Sequence, residues 1–570
     1  MRIALLQLNS RLADPEANGR ALEAAYGQAL ALGAELVLSP ELAVVGYLAE
    51  DRLWEDALRR RIGAETRRLA AVTGAVPLIL GTCSPSPSGR LWNELAWCEQ
   101  GQVRTVVRKR ILPVYDVFDE GRYFDADPGE QPLVDYRDER IGLSICEDLW
   151  ANATLAPGPI RYAIDPIADL AGQGATLLLN ASASPGHLGS YLPPGRMAPW
   201  AVQSKLAQRK RLLQGLAAKH GLAIAYASRV GAESWLTFDG GSGLAQPDGG
   251  WQRDECFQEG VVMVDTRAPG AAWPEEPSEP FWLRKVLGMG LRENLAKQGL
   301  EAAVVGLSGG IDSSVVAALA AENLGPDRVL GIALPTRYTG AESLALAREQ
   351  ADLLGIGFLQ LDADLPFAGA LGSLQAGFPD RSFGITDENL QSRCRGMLLM
   401  AATSELAVHR LLGTQRVAVL NTGNKSEAAT GYFTLYGDGI GAFGVLGDCL
   451  KARVFALARE LGPAIPQGIL DRPPTAELRP GQSDEASLIP YPQLDAILGA
   501  LLEARREEAT LGDDLALLLE GPALAQARAA LPRIFGLLRN SEFKRRQLPF
   551  SLKVSPWAFG RGRRIPLTAR

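Results

Sequence analysis

The sequence predicts two α/β domains in one chain: a layered α/β sandwich over residues 1–265 and a doubly wound parallel sheet over residues 281–570. Three observations predict this. Short apolar runs alternate with helical stretches in both halves, the pattern of layered α/β folds. In the second half an apolar strand runs directly into Ser308-Gly309-Gly310-Ile311-Asp312-Ser313-Ser314 and then into a helix. Between the halves, residues 266–280 (TRAPGAAWPEEPSEP) are rich in proline and glutamate, which reads as a stiff polar linker unable to continue a helix.

In chain order, the first half offers strands at Ile3–Leu8, Glu35–Leu38, Val76–Gly81, Glu94–Cys98, Val103–Arg108, Ile141–Cys146, Thr176–Asn180 and Leu222–Ala227. Each is a short run with apolar or β-branched residues, bounded by polar or turn-forming ones. Helical spacing of apolar residues falls at Gly19–Leu32, Trp54–Val72 and Ala201–His220. The second half opens with an amphipathic helix, Phe281–Gln298. Strands at Ala302–Leu307, Val329–Leu334, Gly357–Leu361 and Arg416–Leu420 follow, with helices between them. In such a fold the site lies at the carboxyl ends of the strands.

Composition removes several function classes. The chain has 570 residues, 47% of them hydrophobic and 22% charged, a globular balance. Lys and Arg number 58 against 65 Asp and Glu, a net charge of -7 without a basic block, which argues against nucleic-acid or membrane-surface partners. No apolar run is long enough for a membrane span, and the N-terminal one is too short for a signal peptide. Six cysteines without a C-x-x-C pair point to a reducing, cytoplasmic location. With three histidines (His187, His220, His409), catalysis built on histidine has few possible members.

The Ser308–Ser314 turn can expose backbone N–H groups at a helix N-terminus, a cradle for anions. The serine hydroxyls can add donors, and Asp312 can hold Mg²⁺ or cap the helix. No G-K-[ST] follows, so this is not the Walker loop. Read alone, it could be an ordinary turn. It resembles the pyrophosphate loop of the ATP pyrophosphatases, which activate a substrate as its adenylate. Later segments narrow the resemblance: LPTRY (Leu334–Tyr338), TDENLQSR (Thr386–Arg393), NTGNKSE (Asn421–Glu427), GYFTLYGD (Gly431–Asp438), Asp448 with Lys451, PTAELRPGQSDE (Pro474–Glu485) and EFKRRQ (Glu542–Gln547). Each alone has a bland reading as a surface charge or polar loop. In this order they resemble the NAD synthetases, with a Rossmann-like fold. That resemblance implies ATP contacts at Gly306, Leu307, Ser308, Gly309, Gly310, Ile311, Asp312, Ser313, Arg337 and Thr422. It implies deamido-NAD contacts at Asn389, Glu427, Tyr432, Thr434 and Lys544, and Mg²⁺ at Asp312 and Glu427. Ammonia would attack the nicotinate adenylate, giving NAD and AMP.

In the first half, Glu41, Lys109 and Cys146 stand at or just after predicted strand ends. A lone buried cysteine is more often a small hydrophobe than a nucleophile. Together the three residues form a nucleophilic set needing no histidine: a carboxylate to take the thiol proton, an ammonium to lower the thiol pKa and stabilise an oxyanion, and the thiol itself. With KRILPVYDVFDEGRYF (Lys109–Phe124), CEDLW (Cys146–Trp150) and NASASP (Asn180–Pro185), the half resembles the nitrilase superfamily, in particular its glutamine amidotransferase branch fused to NAD synthetase. The resemblance implies an α-β-β-α sandwich, Cys146 as nucleophile, Glu41 as base, Lys109 as third member and Glu120 as a supporting carboxylate. Tyr115, Phe118 and Ser184 would line a glutamine pocket.

The chain departs from that pattern at one point. After NASASP the family places Lys or Arg beyond the next glycine, to pair with the glutamine carboxylate. Here Gly189 is followed by Ser190, and Arg196, Lys205 and Arg209 are all open as replacements. The resemblance further implies an ammonia tunnel between the two centres and at least a homodimer through the synthetase half. Three alternatives stay open at this stage: an amidotransferase acting on a purine nucleotide, an ammonia-only synthetase, and a pyridine-nucleotide sensor without catalysis.

Overall fold

The computed structural model describes residues 1–151, 160–191, 202–253, 256–475, 477–479 and 488–568. The chain forms two compact units: residues 1–186 with 204–276, and residues 187–203 with 277–570.

The first unit is built on two sheets. One runs in the order Gly260–Asp265, Arg2–Gln7, Leu36–Leu38, Leu78–Pro85, Leu91–Glu99, Gln102–Arg108, with Phe124–Asp125 also paired to Leu91–Glu99. The other runs Trp251–Arg253, Gly243–Ala245, Ala223–Ser228, Leu177–Ser182, Glu139–Ile145, Val134–Tyr136. Strand periodicity divides each apolar run between two cores. Ile3 and Leu5 join Ile141, Leu143, Leu177 and Leu179 between the sheets. Ala4 and Leu6 face the opposite way, into a core with Leu22 and Ala25 of helix Pro15–Ala31 and Leu58 and Ile62 of helix Asp56–Ala71. Leu178 and Ile224 likewise meet Ile167 and Leu170 of helix Pro166–Gly172 and Leu212, Leu213 and Leu216 of helix Lys205–His220. The unit is therefore an α-β-β-α sandwich.

The stretch read as a linker is built into the first unit as far as Glu276. Ala271 pairs with Trp251 through backbone hydrogen bonds of 2.8 and 3.0 Å, and Trp273 stacks on Trp251 with ring centroids 3.7 Å apart. An aromatic stack can fasten a proline-rich stretch that lacks helix or strand. The excursion of residues 187–203 into the second unit has no counterpart in the sequence-based boundaries, because it lies far from the composition change.

The second unit holds a parallel sheet in the order Gly357–Gln360, Val329–Ala333, Ala302–Gly306, Val417–Asn421, Phe443–Gly444. Leu399 and Leu406 of helix Ile385–His409 pack on Val304, Ile332 and Val419. The strand order reverses at Ala302–Gly306. The switch point of the fold thus lies between the ends of Ala302–Gly306 and Val417–Asn421, where a doubly wound sheet opens its crevice.

Candidate functional sites

Four strand ends of the first unit bring the predicted residues together. Glu41 follows Leu36–Leu38, Lys109 follows Gln102–Arg108, Cys146 follows Glu139–Ile145, and Ser184 follows Leu177–Ser182. Lys109 Nζ donates to Glu41 Oε1 at 2.7 Å and to both oxygens of Glu120 at 2.8 Å. All three side chains are sealed from solvent. Asn93 Nδ2 donates to Glu41 Oε1 at 2.8 Å and the Ala183 N–H to Oε2 at 3.0 Å, so Glu41 cannot rotate without losing partners. Tyr47 Oη donates to Glu120 Oε1 at 2.7 Å.

Burial opposes the charge on Lys109, but Glu120 and Glu41 outweigh it and hold the ammonium well above its ordinary pKa. Burial pushes Glu120 up to about 7, against the pull of Lys109 and with the push of Glu41. Cys146 is buried and takes a left-handed backbone, φ 42°, at the first residue after its strand. Such a conformation is costly for a side chain with a Cβ and is found where structure holds a residue in place. Burial raises the Cys146 thiol well above its usual range, Glu41 adds to this, and Lys109 pulls the other way. Lys109 thus acts on the thiol in the direction expected of an ammonium, while burial and Glu41 outweigh it.

Sequence reasoning missed the residue that ties this corner together. Asp148 Oδ1 accepts the N–H groups of Arg110 and Ile111 at 3.1 and 2.9 Å, and Oδ2 accepts that of Ile145 at 3.0 Å. It joins the residues after Lys109 to the residue before Cys146. Its place in CEDLW was the available signal.

Beside the thiol, Tyr115 and Phe118 meet edge to face at 5.4 Å. Tyr115 Oη donates to Glu147 Oε1 at 3.0 Å, and Tyr162 Oη donates to the same oxygen at 2.7 Å. Of the three cations open as carboxylate partners, Arg196 lies outside the described residues. Arg209 is buried and committed to Asp239 Oδ1 at 3.0 Å and the Gly240 carbonyl at 3.1 Å. Lys205 lies over the Trp150 ring, 3.5 Å from its centroid, and Glu147 and Cys146 both act on it electrostatically. Among the described residues its ammonium has no hydrogen-bond or ion-pair partner. Burial lowers its pKa to about 8. Ser190 is part of the second unit, where its N–H donates to Val202 O at 2.8 Å and its hydroxyl accepts the Val202 N–H at 3.1 Å.

In the second unit, Gly306 and Leu307 end the first strand and Gly309 turns the chain with φ 76°. A Cβ at Gly309 would stand 2.3 Å from the Ser343 carbonyl oxygen, so glycine is required there. Gly310 precedes helix Ile311–Leu324, and no side chain caps its N–H groups. The serines hold the loop itself: Ser313 and Ser314 hydroxyls donate to Gly310 O at 3.0 and 2.9 Å, and Ser308 Oγ accepts the Gly310 N–H at 3.2 Å. Asp312 accepts Asn424 Nδ2 at 3.0 Å and the Lys451 ammonium. Lys451 also lies 3.6 Å from Glu427 Oε1. Asn424 and Glu427 form a reciprocal cap on helix Lys425–Thr430.

Around the same crevice Thr434 Oγ1 donates to Asn389 at 2.8 Å, and Lys544 Nζ donates to the carbonyls of Gly431 and Phe433 at 2.9 and 2.8 Å. Tyr432 follows Gly431, the left-handed C-cap of that helix, and Thr422 follows strand Val417–Asn421. Arg337 is half exposed and pairs with Asp364 Oδ2 at 2.8 Å. Asn424 and Lys451 went unassigned in the sequence although both stand inside quoted segments. Ala476 and residues 480–485 of PTAELRPGQSDE lie outside the described residues. Among the described residues no cluster of three or more His, Cys, Asp or Glu stands ready for a metal. The Asp312 and Glu427 carboxylates nevertheless fit Mg²⁺, a hard cation that binds one or two carboxylates together with substrate phosphates. The Lys451 ammonium between them already marks the place as one for positive charge.

The fold and the two sites define a carbon–nitrogen hydrolase joined to a nucleotide-dependent synthase. Residues 2–268 match the carbon-nitrogen hydrolase family model and residues 284–548 the NAD synthase model. The chain is 37% identical over 99% of its length to the glutamine-dependent NAD(+) synthetase of Synechocystis sp., covering 98% of that protein. It is 36% identical over 94% of its length to that of Xanthomonas campestris, covering 91% of it. A solved glutamine-dependent NAD+ synthetase from Acinetobacter baumannii, in complex with ADP, shares 29% identity with a TM-score of 0.73 over 99% of this chain and 98% of that one. The chain belongs to the glutamine-dependent NAD(+) synthetases, carbon–nitrogen ligases.

Proposed function

We propose that the chain forms NAD from deamido-NAD and ATP with nitrogen released from L-glutamine. In the first unit Cys146 Sγ attacks the glutamine amide carbon as its proton passes to Glu41. Lys109 steadies the oxyanion, and the proton leaves with ammonia. Water, deprotonated by Glu41, then releases glutamate from the thioester. The high thiol pKa supports this concerted use of Glu41, because a resting thiolate is disfavoured. Glu120 and Tyr47 keep Lys109 in place and charged. Tyr115, Phe118 and Ser184 line the glutamine pocket, and Lys205 takes the glutamine carboxylate, supported by its place over Trp150 without a hydrogen-bond or ion-pair partner among the described residues.

In the second unit the Gly306–Ser313 turn, Thr422 and Lys451 hold ATP, with Arg337 at the rim. Asn389, Glu427, Tyr432, Thr434 and Lys544 hold deamido-NAD. Mg²⁺ on Asp312 and Glu427 would neutralise phosphate charge. The nicotinate carboxylate attacks the α-phosphorus and pyrophosphate leaves; ammonia then adds to the adenylate carbonyl and AMP leaves.

One observation carries this reading: a single chain holds a buried Cys-Glu-Lys set for amide cleavage and an anion-binding loop at a sheet switch point. We also propose a cytoplasmic location, supported by six cysteines without a C-x-x-C pair, and at least a homodimer through the second unit. Met397, Met400 and Val408 of helix Ile385–His409, with Leu411 beyond it, expose one apolar stripe in support. No helix among the described residues is long and apolar enough to cross a membrane.

The test is NAD formation from deamido-NAD, ATP and Mg²⁺ with glutamine or ammonium as sole nitrogen source. Cys146→Ala is expected to abolish the glutamine-supported rate and leave the ammonium-supported rate within about twofold. Loss of both in a folded variant contradicts the division of labour.

A further inference from the structure

Within the first unit, the turn that carries Glu41 crosses strand Leu78–Pro85 at Gly81, where a Cβ would stand 2.0 Å from the Pro40 carbonyl oxygen. The Gly81 N–H donates to Ser39 Oγ at 2.8 Å, and the Val44 N–H donates to Gly81 O at 3.1 Å, so the chain is held on both sides of Glu41. The next strand, Leu91–Glu99, carries Asn93. Strand alternation puts its side chain on the face of Leu95 and Trp97, toward the core between the sheets. Asn93 grips both partners of the thiol. Its backbone carbonyl accepts the Lys109 N–H at 2.8 Å, and its Nδ2 donates to Glu41 Oε1 at 2.8 Å. A carboxylate only accepts, so the amide is oriented with Nδ2 on Glu41 and Oδ1 turned away. Asn93 is 1% exposed, and among the described residues its Oδ1 has no hydrogen-bond partner. Buried acceptors are rarely left unused, and here the donor is the part of the amide that serves.

We propose that Asn93 is a positioning residue for Glu41, which rests on the reading of Glu41 as the base: Asn93 holds the carboxylate so that Oε2 takes the thiol proton. Oε1 already accepts from Lys109 at 2.7 Å and from Asn93, whereas Oε2 accepts only the Ala183 N–H at 3.0 Å. An ionised carboxylate has roughly four lone-pair sites over its two oxygens, so Oε2 keeps one for the proton of Cys146 and later for that of water. Lys109 alone does not fix this division, because an ammonium is a point charge that suits either oxygen. Asn93 acts through Glu41, as a supporting group that locks the geometry of a reacting one. A misplacement of about 1 Å costs about a hundredfold in rate. Glu41 moves a proton in the transition state and does not hold glutamine in the ground state, so the loss falls on kcat.

Glutamine hydrolysis and NAD formation by the full chain test this. Asn93→Ala is expected to lower kcat with glutamine about ten- to a hundredfold, with KM for glutamine and the ammonium-supported rate within about twofold. Asn93→Asp keeps the shape but sets a carboxylate against a carboxylate. Facing that pair are Lys109, with Glu120 and Tyr47 behind it, and Cys146. At about pH 8 its kcat should fall below that of Asn93→Ala, and it should recover as pH drops and the new carboxyl gains a proton to donate. Such a recovery, absent from the parent, is not produced by lost packing alone. If Asn93→Ala does not fold, Asn93→Asp decides. A kcat within about twofold of the parent in folded Asn93→Ala overturns the proposal, as does a raised KM at unchanged kcat, or an Asn93→Asp profile parallel to the parent's. Retention of glutamine hydrolysis by Glu41→Gln overturns the underlying reading instead.

Discussion

At the scale of residues, Lys205 shows what an ammonium can be placed to do. It opens helix Lys205–His220, where the aligned peptide dipoles already put positive charge, and its first turn carries no acidic residue. Burial weakens its charge further, to a pKa of about 8. An ammonium so placed favours an anionic ligand. Losing a charge-assisted hydrogen bond costs about 1.5–3 kcal/mol. Lys205→Met is therefore expected to raise KM for glutamine about ten- to a hundredfold while leaving ammonium-supported synthesis intact. In the parent, kcat/KM for glutamine should decline as pH passes about 8 and Lys205 loses its proton, and this limb should vanish in the variant. A variant profile that keeps the limb would assign it elsewhere.

At the scale of elements, the turn after strand Ala302–Gly306 works only if its backbone crosses close to Ser343. Gly309→Ala combines a left-handed φ with a backbone clash, so the loop must shift. Because both nitrogen sources need adenylation, it is expected to lower glutamine- and ammonium-supported NAD formation together, by about a hundredfold or more at this anion cradle, while glutamine hydrolysis continues. A variant that loses only the glutamine rate would contradict this. Such local geometry is what the sequence made legible. The strands ending in Glu41, Lys109 and Cys146, and the Ser-Gly-Gly turn, could be read because apolar periodicity and turn chemistry are local signals. The short hairpin Val230–Glu233 with Leu236–Asp239 and the strand Gly260–Asp265 carry weaker patterns and went unread. Asp148 and Lys451 escaped because their roles depend on partners distant in the chain, and no periodicity announces a contact between Asp312 and Lys451.

At the scale of the whole molecule, the buried carboxylates set how stability depends on pH. Burial raises Glu120 from 4.5 to about 7, Asp148 from 3.8 to about 7, and Asp495 from 3.8 to about 6. A group whose folded pKa lies above its unfolded value contributes stability that is complete below the unfolded pKa. That contribution is lost as pH rises through the folded one, because the folded chain holds the extra proton. These three groups therefore make the molecule less stable as pH rises from about 5 to 7.5. Lys205 acts in a separate window. Its folded pKa is depressed from 10.5 to about 8, so the unfolded chain binds more protons between those values and stability is regained there. Surface carboxylates held low by ion pairs, such as Glu16 and Asp265 at about 2, act below pH 4.5 and leave the upper window clear. Urea unfolding of the full chain should thus show a lower midpoint at pH 7.5 than at pH 5. Glu120→Gln, which keeps the shape and removes the titration, should flatten that fall. One pKa unit corresponds to about 1.4 kcal/mol, so the difference should exceed the error of the extrapolation. A fall identical in parent and variant would mean that Glu120 does not carry its proton in the folded chain.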